Sequence, residues 1–451
     1  MATFDKKAPG VYVEEISKLP PSVASVATAI PGFVGYTERG TKNTAIRVES
    51  LIDFEEKFGY ACKIAISEED KINGLEYKLH ESMRLFYANG GGICYVVSVG
   101  NYTDAISNTA LETGISMLEP IDEVTMIVVP DAVSLEIEDL ASVQNAALEQ
   151  CLELKDRVAI LDVKDTGNCN TDATNFRNSI GTKGASYGAA YYPYIKSVYD
   201  REINVYDIYK GLELSNQELE NAQYYAELSE PTEESTLFAK QLMSKPEYAK
   251  LVAKIQEQAN LLPPSGAIAG IYCANDNQRG VWHAPANMSV SGISDINVRI
   301  SDKQQGELNE NTSGKCINAI RAFQGKGILV WGARTLDGLS SEWKYISVRR
   351  FFNYVEESIQ ESTAWAVFQP NDANTWVKVR CQIENFLSNL WRDGALAGST
   401  PQEAFYVRVG INQTMTAQDI LNGYMIVEIG MAAVRPAEFI VLQFSHKLQE
   451  S

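Results

Sequence analysis

Gly280-Val281-Trp282-His283-Ala284-Pro285-Ala286-Asn287 is the most distinctive stretch of the 451-residue chain. Gly280 permits a tight turn, Trp282 supplies a large apolar anchor, and Pro285 fixes the backbone leading to Asn287. The histidine between Trp282 and Ala284 also makes this the place to look for catalysis. The other histidines, His80 and His446, are distant in sequence, and the three show no metal-ligand spacing. No phosphate-loop, dinucleotide-binding, nucleophile-elbow or zinc pattern occurs elsewhere. A structural junction is the expectation, and a soluble α/β hydrolase or ligand-binding protein with a pocket near His283 is the alternative.

Upstream of this stretch, Leu262-Pro263-Pro264-Ser265-Gly266 marks a boundary. Downstream, 317–323 leads through Gly325-Lys326-Gly327 into an apolar strand ending at Val330-Trp331-Gly332, and helices are expected at 345–361 and 375–390. The second places Trp376, Val379, Ile383, Phe386, Leu387 and Leu390 on one face. Strands are expected at 405–410, 423–430 and 438–445. The last is nearly uncharged, and a free strand of that kind needs a covering partner because its backbone donors and acceptors are exposed.

Toward the N-terminus, 100–200 alternates helix and strand, with apolar runs at 125–129 and 158–163 that read as buried parallel strands. Ser50 reads as the cap of a short helix burying Phe54 and Phe58 and ending at Gly59. Asn89-Gly90-Gly91-Gly92 follows a helix instead of opening one, so it reads as a helix-to-strand turn and not a phosphate loop. The Tyr191-Tyr192-Pro193-Tyr194 cluster reads as core. Residues 200–260 turn to Glu, Lys, Ala and Gln, with two amphipathic helices joined at Lys245-Pro246, and read as a solvated insertion. At the start, Val11, Tyr12, Val13 and Ile16 lie in a short strand cut off by Pro20-Pro21; it is either a frayed terminus or an arm that pairs with another subunit.

Residues 1–260 carry 23 Lys and Arg against 40 Asp and Glu, and residues 261–451 carry 16 against 18. So acidic a front part opposes nucleic acid or anionic membrane as a partner. Seven scattered cysteines without a C-x-x-C pair fit free thiols in a reducing compartment. No run is long enough to span a bilayer, which excludes direct membrane insertion by a helix and points to synthesis in the cytoplasm.

The 280–287 motif, Val330-Trp331-Gly332-Ala333-Arg334-Thr335-Leu336 and Phe368-Gln369-Pro370-Asn371-Asp372 together resemble the contractile tail sheath family, which forms the outer sleeve of phage tails and related injection systems. The Pro263-Pro264-Ser265-Gly266 entry, the Phe54-to-Gly59 pattern and the Tyr191-Tyr192-Pro193 segment resemble it too, while 200–260 is unmatched. The resemblance implies a mixed α/β multidomain chain: an N-terminal arm (1–23), an N-terminal domain (24–100), an outer α/β domain (101–261), a tube-facing C-terminal domain (262–435) and a C-terminal arm strand (436–451). It implies a non-enzymatic subunit without cofactor or metal, stacked in helically arranged hexameric rings around an inner tube, with baseplate and terminal cap proteins as further partners and assembly in the bacterial cytoplasm. Val11, Tyr12, Val13 and Ile16, with Phe439, Ile440, Val441, Leu442 and Phe444, would add strands to neighbouring subunits. Lys344, Arg349, Arg350, Lys378 and Arg380 would face the tube. Gly280, Trp282, Pro285, Asn287, Trp331, Arg334, Asn371 and Asp372 would serve structure.

Overall fold

Apolar runs rich in β-branched residues form nine strands of one sheet: β1 (Pro31–Tyr36), β2 (Ala45–Val48), β3 (Cys94–Gly100), β4 (Met126–Val128), β5 (Val158–Asp162), β6 (Gly188–Tyr192), β7 (Met288–Ser289), β8 (Ile317–Phe323) and β9 (Gly327–Val330). Their spatial order is β7-β9-β8-β6-β5-β4-β1-β3-β2. The six strands from β8 to β3 run parallel, and β2, β9 and β7 are antiparallel additions at the edges. This computed structural model describes residues 23–67, 71–228, 230–310 and 312–439.

Both faces of the sheet are covered, so its central strands β1, β4, β5 and β6 are buried at every position instead of alternating between buried and exposed residues. In β5, Val158 and Ile160 join one core while Ala159 and Leu161 join the other; Phe33 and Val34 of β1 divide the same way. One core takes in Leu111 and Ile115 from the helix Asn108–Ser116 and Leu140, Val143 and Leu148 from Ile137–Leu154. The other takes in Met83 and Phe86 from Leu79–Ala88 and Ile268, Ile271 and Tyr272 from Ser265–Arg279. These last two helices approach closely at Gly266 and Gly270, where an added Cβ would lie 2.5 Å from the Ser82 carbonyl oxygen and 2.4 Å from that of Phe86. The Asn89-Gly90-Gly91-Gly92 segment turns the chain from Leu79–Ala88 into β3, as expected. Ser50 caps Leu51–Phe58 by accepting from the Asp53 N–H, with Phe54 and Phe58 buried.

The described residues fall into two compact units, Val26–Glu357 with 435–439, and Ser358–Val434 with 23–25. The boundaries expected near residues 100 and 261 therefore do not separate domains. β1 is bonded to β3 on one side and to β4 on the other, and β8 pairs with β6 through Ile317 and Ala190, so one sheet stitches all three segments together. Residues 205–259 form helices including Glu233–Met243 and Pro246–Ala259, as expected, plus Asn216–Ala226. They hold a small core of their own around Val205, Tyr209, Phe238 and Leu242.

In the smaller unit, the helix Ala373–Arg392 buries Val379, Ile383, Phe386, Leu387 and Leu390, while Trp376 stays half-buried. The hairpin Phe405–Val409 and Val427–Met431 lies on it with Val407 and Val409 buried.

Candidate functional site

The hairpin Phe405–Val409/Val427–Met431 is a two-stranded sheet in full antiparallel register from Phe405 opposite Met431 to Val409 opposite Val427. Among the described residues no further strand bonds to either of its outer edges. An isolated two-stranded ribbon is marginal in water, and an open edge is a template for another strand. Beside it, Leu421 and Tyr424 are 79% and 62% exposed, and Phe368 is fully exposed on a left-handed backbone at φ 63°. Asn371 ties these loops together, donating from Nδ2 to the Tyr424 carbonyl and accepting at Oδ1 from Trp376 Nε1, at 2.9 and 2.7 Å. Asp372 caps Ala373–Arg392 by accepting from the Thr375 N–H.

Of the strand residues expected to reach other subunits, Val11, Tyr12, Val13, Ile16, Ile440, Val441, Leu442 and Phe444 lie outside the described residues; Phe439 is 72% exposed.

The five candidate tube-facing cations divide. Arg349 and Arg350 are buried, which corrects the expectation that they are exposed. Arg350 pairs with the equally buried Asp276 at 2.5 and 3.0 Å, donates to the Thr28 carbonyl at 2.8 Å and lies 4.6 Å over the Tyr272 ring. Burial alone depresses its pKa, but Asp276 lifts it above the ordinary arginine value. Arg349 is stacked over Trp343 at 3.9 Å and Tyr187 at 4.6 Å and donates to Asn353 Oδ1. Lys378 is exposed, Lys344 is half-buried, and Arg380 is half-buried within 3.9 Å of Glu384.

The 280–287 motif is a junction. Gly280 ends Ser265–Arg279 at φ 94°, donating its N–H to the Asp276 carbonyl, and an added Cβ there would strike the Trp282 ring. Asn287, at φ 57°, donates to the Val330 carbonyl and starts β7. Val281 and Pro285 are the buried members; Trp282 is half-buried with its edge toward Phe351 at 6.3 Å, less enclosed than an anchor was expected to be. His283 is exposed. A cavity of about 630 Å³ is lined by Ala284, Ala286 and Asn287, and His283 is not among its lining residues. Trp331 also lines it and packs on Phe323 at 4.5 Å. Arg334 is buried and bidentate to Glu438, a partnership that sequence reading missed because 104 residues separate the two.

Residues 104–336 match the phage tail sheath protein central domain and residues 340–447 the phage tail sheath C-terminal domain. The chain belongs to the phage tail sheath family. Among solved structures it is similar to the sheath complex of an extracellular contractile injection system, PVC, in the contracted state, with 31% identity, 99% of each chain covered and a TM-score of 0.68. It is similar to the helical sheath of the anti-feeding prophage in the contracted state at 30% identity, 97% and 99% coverage and a TM-score of 0.67. Among curated relatives, the tail sheath protein of Vibrio phage KVP40 is 23% identical over 192 residues, 42% of this chain and 27% of that protein. The putative prophage major tail sheath protein of Pseudomonas aeruginosa strain UCBPP-PA14 is 24% identical over 180 residues, 40% and 45% respectively.

Proposed function

We propose that the chain is the repeating structural subunit of a contractile sheath, stacked in hexameric rings around an inner tube and shortening from a metastable extended state to drive that tube forward. The observation that carries this reading is the hairpin Phe405–Val409/Val427–Met431 with two open edges beside exposed apolar side chains. Strand addition from neighbouring copies satisfies those edges, and the donors we assign are the segments around Val11–Ile16 and Phe439–Phe444. Head-to-tail addition of this kind repeats without closing, which suits a tubular polymer. The work of contraction comes from contacts between subunits, so the subunit needs neither nucleotide nor catalysis. Lys344, Lys378 and Arg380 remain the candidates for meeting an acidic inner tube, and baseplate and cap proteins would close the two ends. Assembly takes place in the bacterial cytoplasm.

Electron microscopy of the purified protein tests this: striated tubes are expected, and a stable monomer at high concentration would count against it. Deleting residues 1–18 is expected to block extended sheaths while leaving the fold intact. Normal contractile particles from that variant would sink the arm assignment.

A further inference from the structure

Arg334 is built into the body before its side chain is used. Its N–H donates to Asn318 Oδ1 and its carbonyl accepts from Asn318 Nδ2, both at 2.8 Å, and Asn318 is fully buried on β8. The guanidinium, 1% exposed, donates from Nε and Nη2 to the two Glu438 oxygens at 2.9 and 2.6 Å and from Nη1 to the Asn309 carbonyl at 2.9 Å. The Tyr345 hydroxyl donates to the same carboxylate at 3.2 Å. Glu438 is the last residue before the exposed Phe439, and Pro436 to Phe439 form one wall of the cavity that Trp331 and Asn287 line. Separating this pair would strand a buried guanidinium without its counter-charge, which is strongly unfavourable.

We propose that Arg334 and Glu438 clamp the root of the C-terminal segment to the body, so that the part free to reach a neighbouring subunit begins at Phe439. This rests on the reading that the segment donates a strand. From the clamp, the six residues to Phe444 reach about 20 Å when extended. With the clamp gone, the root slips back to Val434, the last residue of the smaller unit, and the reach lengthens by about 13 Å while its direction is lost. A donated strand held in one register needs the shorter, aimed tether.

The test uses the full chain, Glu438→Gln, the double variant Arg334→Met/Glu438→Leu, and a chain ending at residue 438. In Glu438→Gln, sheath yield by electron microscopy is expected to fall at least tenfold, with amide exchange over β6 and β8 unchanged. If Glu438→Gln fails to fold, the double variant decides, since it leaves no unpaired buried charge; it is expected to unfold at the parent temperature yet assemble poorly. Parent-like sheath yield from Glu438→Gln or from the double variant overturns the clamp. Normal sheaths from the chain ending at residue 438 would instead overturn the strand-donation reading on which it rests.

Discussion

Replacing Asp276 by asparagine preserves shape but removes the counter-charge of Arg350 at a place where both side chains are only 3% exposed. Arg350 would keep its bond to the Thr28 carbonyl and its position over Tyr272, but neither group carries a full negative charge. Breaking a buried pair by removing one partner costs about 3–5 kcal/mol, because the remaining ion is left desolvated. Chemical denaturation followed by tryptophan fluorescence is expected to show a loss of that size. Arg350→Met combined with an apolar replacement of Asp276 should recover most of it, since replacing both members of such a pair is often near neutral. Asp276→Asn costing less than about 1 kcal/mol, the range of exposed pairs, would refute the inference that the pair is buried and structural and would reopen an outward-facing role for Arg350.

Asp162 is buried at the end of β5, where it accepts from the Ser265 N–H at 2.9 Å, and burial pushes its carboxyl up to about 7 despite that bond. A carboxyl raised in the folded state holds its proton there longer than in the unfolded chain, so its contribution is full below about pH 4 and is lost as pH rises toward 7. Asp162→Asn is expected to flatten the stability profile over that window, and an unchanged profile would contradict it. Gly270→Ala, whose Cβ would lie 2.4 Å from the Phe86 carbonyl oxygen, is expected to cost about 1–3 kcal/mol in unfolding measurements. Gly92→Ala, with nothing within 4 Å of the added Cβ, should stay within about 0.5 kcal/mol.

Strand and helix identity was legible wherever local pattern decides it. The apolar run at 158–163, interrupted only by Asp162, announced a strand buried on both faces, and Ser50 with Phe54 and Phe58 announced a capped amphipathic helix. Asn216–Ala226 had a local signal too, Ser215 and Glu218 forming a capping box, and it went unread. Strand order was not legible, because nothing near Ile317 records that it pairs with Ala190. The burial of Arg349 and Arg350 runs against their charge, and the clue lay in the aromatic residues around them, Trp343 and Phe351 among them, which mark a core able to receive guanidinium groups. The open hairpin was read as ordinary strands, since an unfilled edge is a property of the assembled sheet and not of either segment.

That the sheet draws its strands from Pro31 through Val330, while the open hairpin comes only at Phe405–Met431, sets an order of events on the ribosome. At bacterial elongation rates the hundred or so residues between β9 and the end of the hairpin take roughly 5–20 s to make. The sheet's nine strands have all been synthesised before the second hairpin strand has emerged. A nascent subunit therefore has no open hairpin to receive a neighbour's strand while its core is still closing. Folding of the sheet and the opening of that acceptor edge are separated in time by the order in which the message is read.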